Sequence, residues 1–268
     1  MFTPEMLESI KKVEATRAER MGTEPRRMTA EEKSELLKAY HPDYRAEGFK
    51  EIKIGPNKGQ KAPVELTNLL HSNSRLLNEQ IDLNKVDYDV DVLVIGGGGA
   101  GCSAAIEAHE AGANVMIVTK LRIGDANTMM AEGGIQAADK PNDSPAIHYV
   151  DAFGGGHFAA KPELLYRLVN EAPEAIQWLN NLGVEFDKMP DGTMVTTHGG
   201  GTSRKRMHAA KDYSGAEIMR TLRDEVLNRG IPVVDFTAAI ELILDENGHA
   251  AGAVLMNMET KELLIARA

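Results

Sequence analysis

Three glycines pose the first chemical question. In "VIGGGGAG", Gly96, Gly98 and Gly101 fill the pattern G-x-G-x-x-G. The first suits a tight turn, the second lets backbone approach a diphosphate, and the third lets a helix lie close to a strand. A helix opening here would offer unpaired N–H groups and its positive dipole end to phosphate oxygens. A second glycine pair, Gly133 and Gly134, follows in "MAEGGI", more than a simple nicotinamide site needs. The segment "SRKRMHAAKDYSG" collects Ser203, Arg204, Arg206, His208 and Asp212. Its serine and arginines could face phosphate or carboxylate, and Arg204, Arg206 and His208 are the catalytic candidates. His208 and Asp212 sit four apart and share a helix face only if the helix starts early. A solvated basic loop leading into a capped helix accounts for the segment equally well. His157 and His198, each beside glycines, are further candidates.

The surrounding pattern supplies the elements such a site needs. "DVLVIG" and "NVMIVTK" are short, β-branched apolar runs of the kind that form buried parallel strands, and "AGCSAAIEAHEAG" between them is a small-residue helix. A fingerprint that follows a strand, opens a helix and precedes a second strand is a much stronger signal than the glycines alone. The acidic residue that would clamp a ribose at the end of the second strand is missing; Thr119 and Lys120 stand there, which disfavours an ordinary NAD site and on its own would suggest an NADP phosphate. Asp143 or Ser144 with Pro145 starts a helix, and Pro162–Leu182 reads as two helices broken near Pro173. A hairpin is expected around Asp191-Gly192. Ser214 and Glu217 form a capping box for a helix that Gly230 ends. After "IPVVDF", residues to Ala268 read as a three-stranded antiparallel meander.

Residues 1–88 differ. Leu7, Ile10 and Val13 fall at helical spacing, Thr29 and Glu32 form a capping box, and a turn-rich stretch follows around Pro56, Gly59 and Pro63. No catalytic pattern occurs there, His41 and His71 read as packing or surface residues, and the segment is expected to be an arm that wraps the domain or a neighbour. The chain thus divides into an N-terminal extension, 1–88, and a nucleotide-binding domain, 89–268. Its net charge of -10 comes from the second part, and no basic stripe argues for nucleic acid. The single cysteine, Cys102, excludes a disulfide framework and a cluster held by this chain's cysteines alone, and no metal site is expected. No apolar run approaches the roughly 20 residues of a membrane helix, so membrane association would come only through partners, and a cytoplasmic, reducing location is expected.

From Asp89 onward the chain resembles the flavoprotein subunit family of fumarate reductase and succinate dehydrogenase, with L-aspartate oxidase as a relative. Six blocks carry the resemblance in order: the fingerprint Gly96–Gly101, "TKL" at Thr119, "MAEGGI" at Met130, "DSPAIHYVDAFGGG" at Asp143, "EAPEAIQWLNNLGVEFDK" at Glu171, and "GGTSRKRMHAAKDYSG" at Gly200. The fold it implies is α/β, a glutathione-reductase-type FAD-binding Rossmann domain with an antiparallel meander, preceded here by a partly helical arm. The cofactor implied is FAD, held by Gly96, Gly98, Gly99, Ala100 and Gly101, by Thr119 and Lys120, and by Asn127, Thr128, Met129, Glu132, Gly133 and Gly134. The second glycine pair would lie against the isoalloxazine ring, where side-chain-free backbone can donate N–H bonds. Many members carry a histidine that bonds covalently to the flavin; Asn127 stands at that position and implies non-covalent FAD and a lower flavin potential.

The implied activity is hydride transfer between flavin and a dicarboxylate double bond, with electrons exchanged through an iron–sulfur or other electron-transfer subunit. The alternatives are L-aspartate oxidase and a non-catalytic FAD relay subunit. Family members continue with an "ATGG" strand, a capping domain that grips the dicarboxylate and supplies the proton-donating arginine, and a helical domain. This sequence stops at "ELLIARA", so it is expected to be either an incomplete copy or one half of a split protein whose second chain carries the capping domain. Residues 1–268 alone are accordingly expected not to reduce fumarate at an enzymatic rate.

Overall fold

The structure is a computed structural model that describes residues 3–23, 26–72, 74, 76 and 81–268. It divides into two compact units, Met1–Glu79 and Gln80–Ala268.

The first unit holds helices α1 (Pro4–Ala15), α2 (Arg17–Gly22) and α3 (Ala30–Tyr40), a two-stranded antiparallel ladder of β1 (Phe49–Glu51) and β2 (Lys61–Pro63), and α4 (Val64–Leu70). The Thr3 hydroxyl accepts from Met6 N–H at the start of α1, and the Thr29–Glu32 capping box of α3 forms as its spacing predicts. Leu7, Ile10 and Val13 line one side of α1 and remain exposed, whereas Ile52, Ala62 and Thr67 are buried. His71 Nε2 accepts from Lys53 N–H at 2.9 Å.

The second unit begins with β3 (Tyr88–Asp89) and β4 (Val92–Ile95), followed by α5 (Gly99–Glu110) and β5 (Val115–Val118). Then come β6 (Ile135–Gln136), α6 (Pro145–Gly155), α7 (Pro162–Leu182), β7 (Thr196–Thr197), β8 (Met207–His208), α8 (Ser214–Asn228) and β9 (Val233–Val234). It closes with β10 (Thr237–Leu244), β11 (Ala250–Asn257) and β12 (Leu263–Arg267). Strands β4, β5 and β9 form a parallel sheet in that order, β10, β11 and β12 an antiparallel one extended in parallel by β3, and β6, β8 and β7 a small third one. The core lies between the parallel sheet and helices α5, α7 and α8, with Cys102, Ile106, Ile117, Ile176, Met219 and Leu222 fully enclosed. Thr119 joins two sheets: its N–H donates to Val234 and its carbonyl accepts from Thr237.

Three local expectations are corrected. Residues Pro162–Leu182 form one helix, not two, with Pro173 inside it. A mid-helix proline forfeits the bond to the carbonyl four residues back, here Val169, at roughly 3 kcal/mol. The apolar stripe Leu165, Val169, Ile176 and Leu179 is buried along the whole helix, and that continuous burial offsets the break. Ser214 does not cap α8: Tyr213 precedes the first turn, and the Ser214 hydroxyl turns inward, accepting from Ala210 N–H and donating to the Glu132 carbonyl. Glu217 accepts from Glu185 N–H instead of closing a box, and pairs with Arg220. His208 lies on strand β8, so it shares no helix face with Asp212. The turn at Asp191-Gly192 does form, with the Asp191 carboxylate accepting from Thr193 N–H and a bridge from Lys188 to Met194.

Cys102 sits beneath the glycine loop, with Sγ 3.7 Å from the Gly97 carbonyl oxygen. Burial pushes its thiol up to about 11. The reactive thiolate is therefore scarce and enclosed. Cys102 is expected to resist alkylation at pH 8 in the native state and to label stoichiometrically in denaturant, measured by intact mass.

Candidate functional site

The site grows from the β4–α5 turn. Gly96 N–H donates to the Val118 carbonyl, tying the turn to the end of β5, and the Gly97 carbonyl accepts from Gly124 N–H in the next loop. Helix α5 starts after Gly98, with no side-chain cap. Its first N–H, that of Gly99, donates to Thr128 Oγ1 at 3.2 Å. The amides of Ala100 and Gly101 have no carbonyl four residues back within the helix, so they remain as donors at its positive end. Only a glycine fits at 101: a Cβ there would lie 1.9 Å from the Gly96 carbonyl oxygen. That contact is the close helix–strand approach the fingerprint requires.

The loop after β5 is fastened on both sides. Ile123 N–H donates to Asp235 Oδ1 at 2.8 Å, across 112 residues of sequence. Lys120, exposed at the C-terminal edge of the parallel sheet, and the 3₁₀ turn Asn127–Met130 follow along this loop. Thr128 packs against Gly99, Asn127 is exposed, Met129 reaches the core, and Glu132 and Gly133 are exposed. Gly134 has a φ of 110°, and a Cβ there would meet the His208 carbonyl oxygen at 2.2 Å, so the second glycine pair ends in a backbone conformation and a contact that exclude a side chain.

Gly99, Ala100, Thr128, Ala131 and Gly134 open onto a cleft of about 920 Å³ whose far wall is Trp178, Leu179 and Ile218. Its outer end carries Glu107, Glu110, Glu171 and Glu174. Carboxylates disfavour a diphosphate there, although Glu110 is paired with Arg229, whereas the N-terminal end of α5 favours one.

The charged cluster resolves differently. Arg206 is completely buried and its fork meets carboxylates of the protein itself: Asp143 at 2.7 and 2.9 Å, and Asp151 at 2.6 Å. Asp151 also accepts from the Ser203 N–H and hydroxyl. Burial works against its charge, but the bonds from Ser203 and Arg206 outweigh it and bring Asp151 down to about 2. The Arg206 guanidinium, opposed by burial and helped by Ser144 N–H, holds Asp143 below the usual carboxylate range. His148 beside them is lowered by burial and by Arg206. Arg204 is exposed and donates to the Asn142 carbonyl and to that of Ser203. His208 is fully buried, 3.1 Å from Asp139 Oδ2 through Nε2. His157 lies exposed just beyond α6, and His198 in a loop, 3.4 Å from the Thr202 hydroxyl.

The structure therefore gathers the fingerprint, Thr128, Gly134 and His208 around one loop, and turns Arg206 away into an ion network. Asp139, Asp143, Asp151 and Asp235 were not legible as partners, because each meets its counterpart across 50 or more residues with no local spacing signal.

A glycine turn that opens a helix between two parallel strands, with free amides at its tip, defines a dinucleotide-binding α/β domain. The chain belongs to the family described as FAD binding domain, which matches residues 91–268. It is 38% identical over 185 residues to a fumarate reductase (CoM/CoB) chain of Methanothermobacter marburgensis, covering 68% of this chain and 34% of that one. It is 37% identical over 166 residues to an L-aspartate oxidase of Streptomyces coelicolor, covering 62% and 29%. Among solved structures, the Mycobacterium smegmatis Sdh1 complex aligns at 36% identity and a TM-score of 0.64, over 68% of this chain and 33% of that one. An E. coli quinol fumarate reductase aligns at 29% and 0.65, over 68% and 31%. The chain thus spans about a third of the length of the curated relatives it matches, and it is an FAD-binding domain of the fumarate reductase and succinate dehydrogenase type of flavoprotein. No described helix is long and apolar enough to cross a membrane.

Proposed function

We propose that this chain forms the cofactor-holding part of a dicarboxylate oxidoreductase that exchanges electrons with a separate redox subunit. The observation that carries the reading is the joint placement of the α5 amide tip and the Gly133–Gly134 turn on one loop system through the Gly99–Thr128 bond. The residues present fit FAD. Ala100 and Gly101 offer N–H donors to its diphosphate, Gly98 leaves room for it, Lys120 offers a cation, and Gly133–Gly134 present bare backbone to the ring. Bound FAD would supply hydride exchange at its ring nitrogen with a carbon–carbon double bond between carboxylates. The chain's own work is to bind and orient the cofactor and to keep side chains out of its path. An iron–sulfur or similar electron carrier is the expected partner, on the cytoplasmic side of any membrane. The test is to purify the protein with its partner subunits and assay fumarate-dependent oxidation of a reduced dye beside aspartate- and succinate-dependent dye reduction. Fumarate-dependent turnover supports the reading; aspartate turnover alone replaces it with an aspartate oxidase.

Flavin attachment is expected to be non-covalent. Asn127 sits exposed at the first position of the 3₁₀ turn, and a carboxamide nitrogen is not the nucleophile an imidazole is. Acid precipitation should leave the yellow colour in the supernatant; flavin fluorescence migrating with the protein on a denaturing gel refutes this.

A further inference from the structure

We infer that His208 is a positioning residue for the flavin-facing segment: its Nε2 bond to Asp139 fixes the strand that directly follows Gly133 and Gly134. The inference rests on the proposed reading of that glycine pair as the turn facing the ring. Strand β6, directly after the pair, has only two residues, Ile135 and Gln136, laddered to β8. So short a ladder is marginal by itself. His208 stands opposite Ile135, and its carbonyl oxygen fills the place of a Gly134 side chain. Three residues beyond β6, the Asp139 carboxylate returns to the imidazole at 3.1 Å. Between them, Ala137 N–H donates to the Arg206 carbonyl and Asp139 N–H to that of Ala137. Residues 135–139 are therefore pinned to β8 at both ends, by the backbone ladder at Ile135–Gln136 and by the His208 side chain at Asp139. Lys140 Nζ lies 3.1 Å from the same carboxylate oxygen, a second contact on Asp139. A carboxylate oxygen accepts, so the tautomer that carries its proton on Nε2 donates across this contact. Phe186 meets the ring edge-on at 6.2 Å and holds its orientation.

A core histidine kept for packing would be the ordinary explanation. Against it stands the cost of the pair. Among the described residues, no group reaches the buried His208 Nδ1 or the buried Asp139 Oδ1. A half-satisfied polar pair is a worse core than two apolar side chains of equal volume. What the pair supplies that apolar packing does not is a directed bond, which sets the angle at which the glycine turn meets its ligand.

The test measures FAD affinity by fluorescence titration, the visible spectrum of the bound flavin, and Tm, for the protein and for His208→Phe, His208→Gln and Asp139→Ala. His208→Phe and Asp139→Ala are expected to weaken FAD binding about tenfold or more and to blur the flavin band, because a mobile turn must be ordered on binding. His208→Gln, which can still donate to Asp139, is expected to stay within about threefold of the parent. FAD affinity unchanged in both His208→Phe and Asp139→Ala, whatever the Tm, overturns the inference, and so does a folded His208→Gln that binds no better than His208→Phe. Should His208→Phe not fold, Asp139→Ala removes the same bond from its partly buried side, and parental affinity in that variant overturns the inference. Failure of the unmodified protein to take up FAD overturns the flavin reading itself, an outcome separate from any difference among the variants.

Discussion

Arg206→Ala is expected to be the most destabilising single substitution in the second unit, by about 3–5 kcal/mol, because it strands two carboxylates whose partner is completely buried. For a domain of this size that corresponds to a fall in Tm of roughly 6–20 °C. The effect has a pH signature that separates it from lost packing. In the native protein Asp143 and Asp151 titrate below their unfolded value of 3.8, with Asp151 at about 2. Their ionised forms contribute stability that is complete above about pH 4 to 5 and is lost as pH falls through the folded values. In Arg206→Ala the stranded carboxylates prefer the protonated form, so the variant is relieved as the parent loses ground. The gap between the two should therefore narrow from pH 7 to pH 3 in urea denaturation. A gap of equal size at both pH values would mean that the loss comes from the cavity and not from the charges.

Gly98→Val is expected to lower FAD affinity at least 100-fold, about 2.7 kcal/mol or more. A Cβ at Gly98 already lies 3.1 Å from Ala126 Cβ, so the two further methyls of valine would crowd the proposed path of the diphosphate. Gly101→Ala makes the contrasting control. Its methyl would meet the Gly96 carbonyl oxygen at 1.9 Å, so helix α5 must move off β4, and Tm falls together with affinity. Equilibrium dialysis with FAD, read beside the Tm of each variant, distinguishes the two. Gly98→Val protein that retains parental affinity would move the diphosphate away from the α5 tip.

These two results divide what could and could not be read from the chain. Local patterns were legible wherever the physics is local. The fingerprint glycines determined a turn between a strand and a helix, because the packing at Gly101 and the backbone at Gly96 admit no other residue without strain. The capping box at Thr29–Glu32 formed because both partners lie within one turn. The same rule failed at Ser214–Glu217, where Ser214 was drawn inward to Ala210 and Glu132 while Glu217 went to Glu185 and Arg220. Pro173 reads locally as a break, yet α7 runs through it because its apolar stripe is buried on both sides of the proline.

The ordered motifs also identified the family by themselves, and with it the cofactor class. What only the tertiary structure decided is where the charged residues point. By sequence, Arg204, Arg206 and His208 were equal candidates to face a substrate. In the fold, Arg206, just before the two-residue strand β8, and His208, at its end, are both buried and meet Asp143 and Asp151, and Asp139, while Arg204, in a bend outside the strand, stays at the surface. A buried guanidinium or imidazole must find its counter-charge wherever the chain returns, here 55 to 69 residues away. Spacing in the sequence carries no record of that distance, because the requirement is set by desolvation in three dimensions and not by neighbours along the chain.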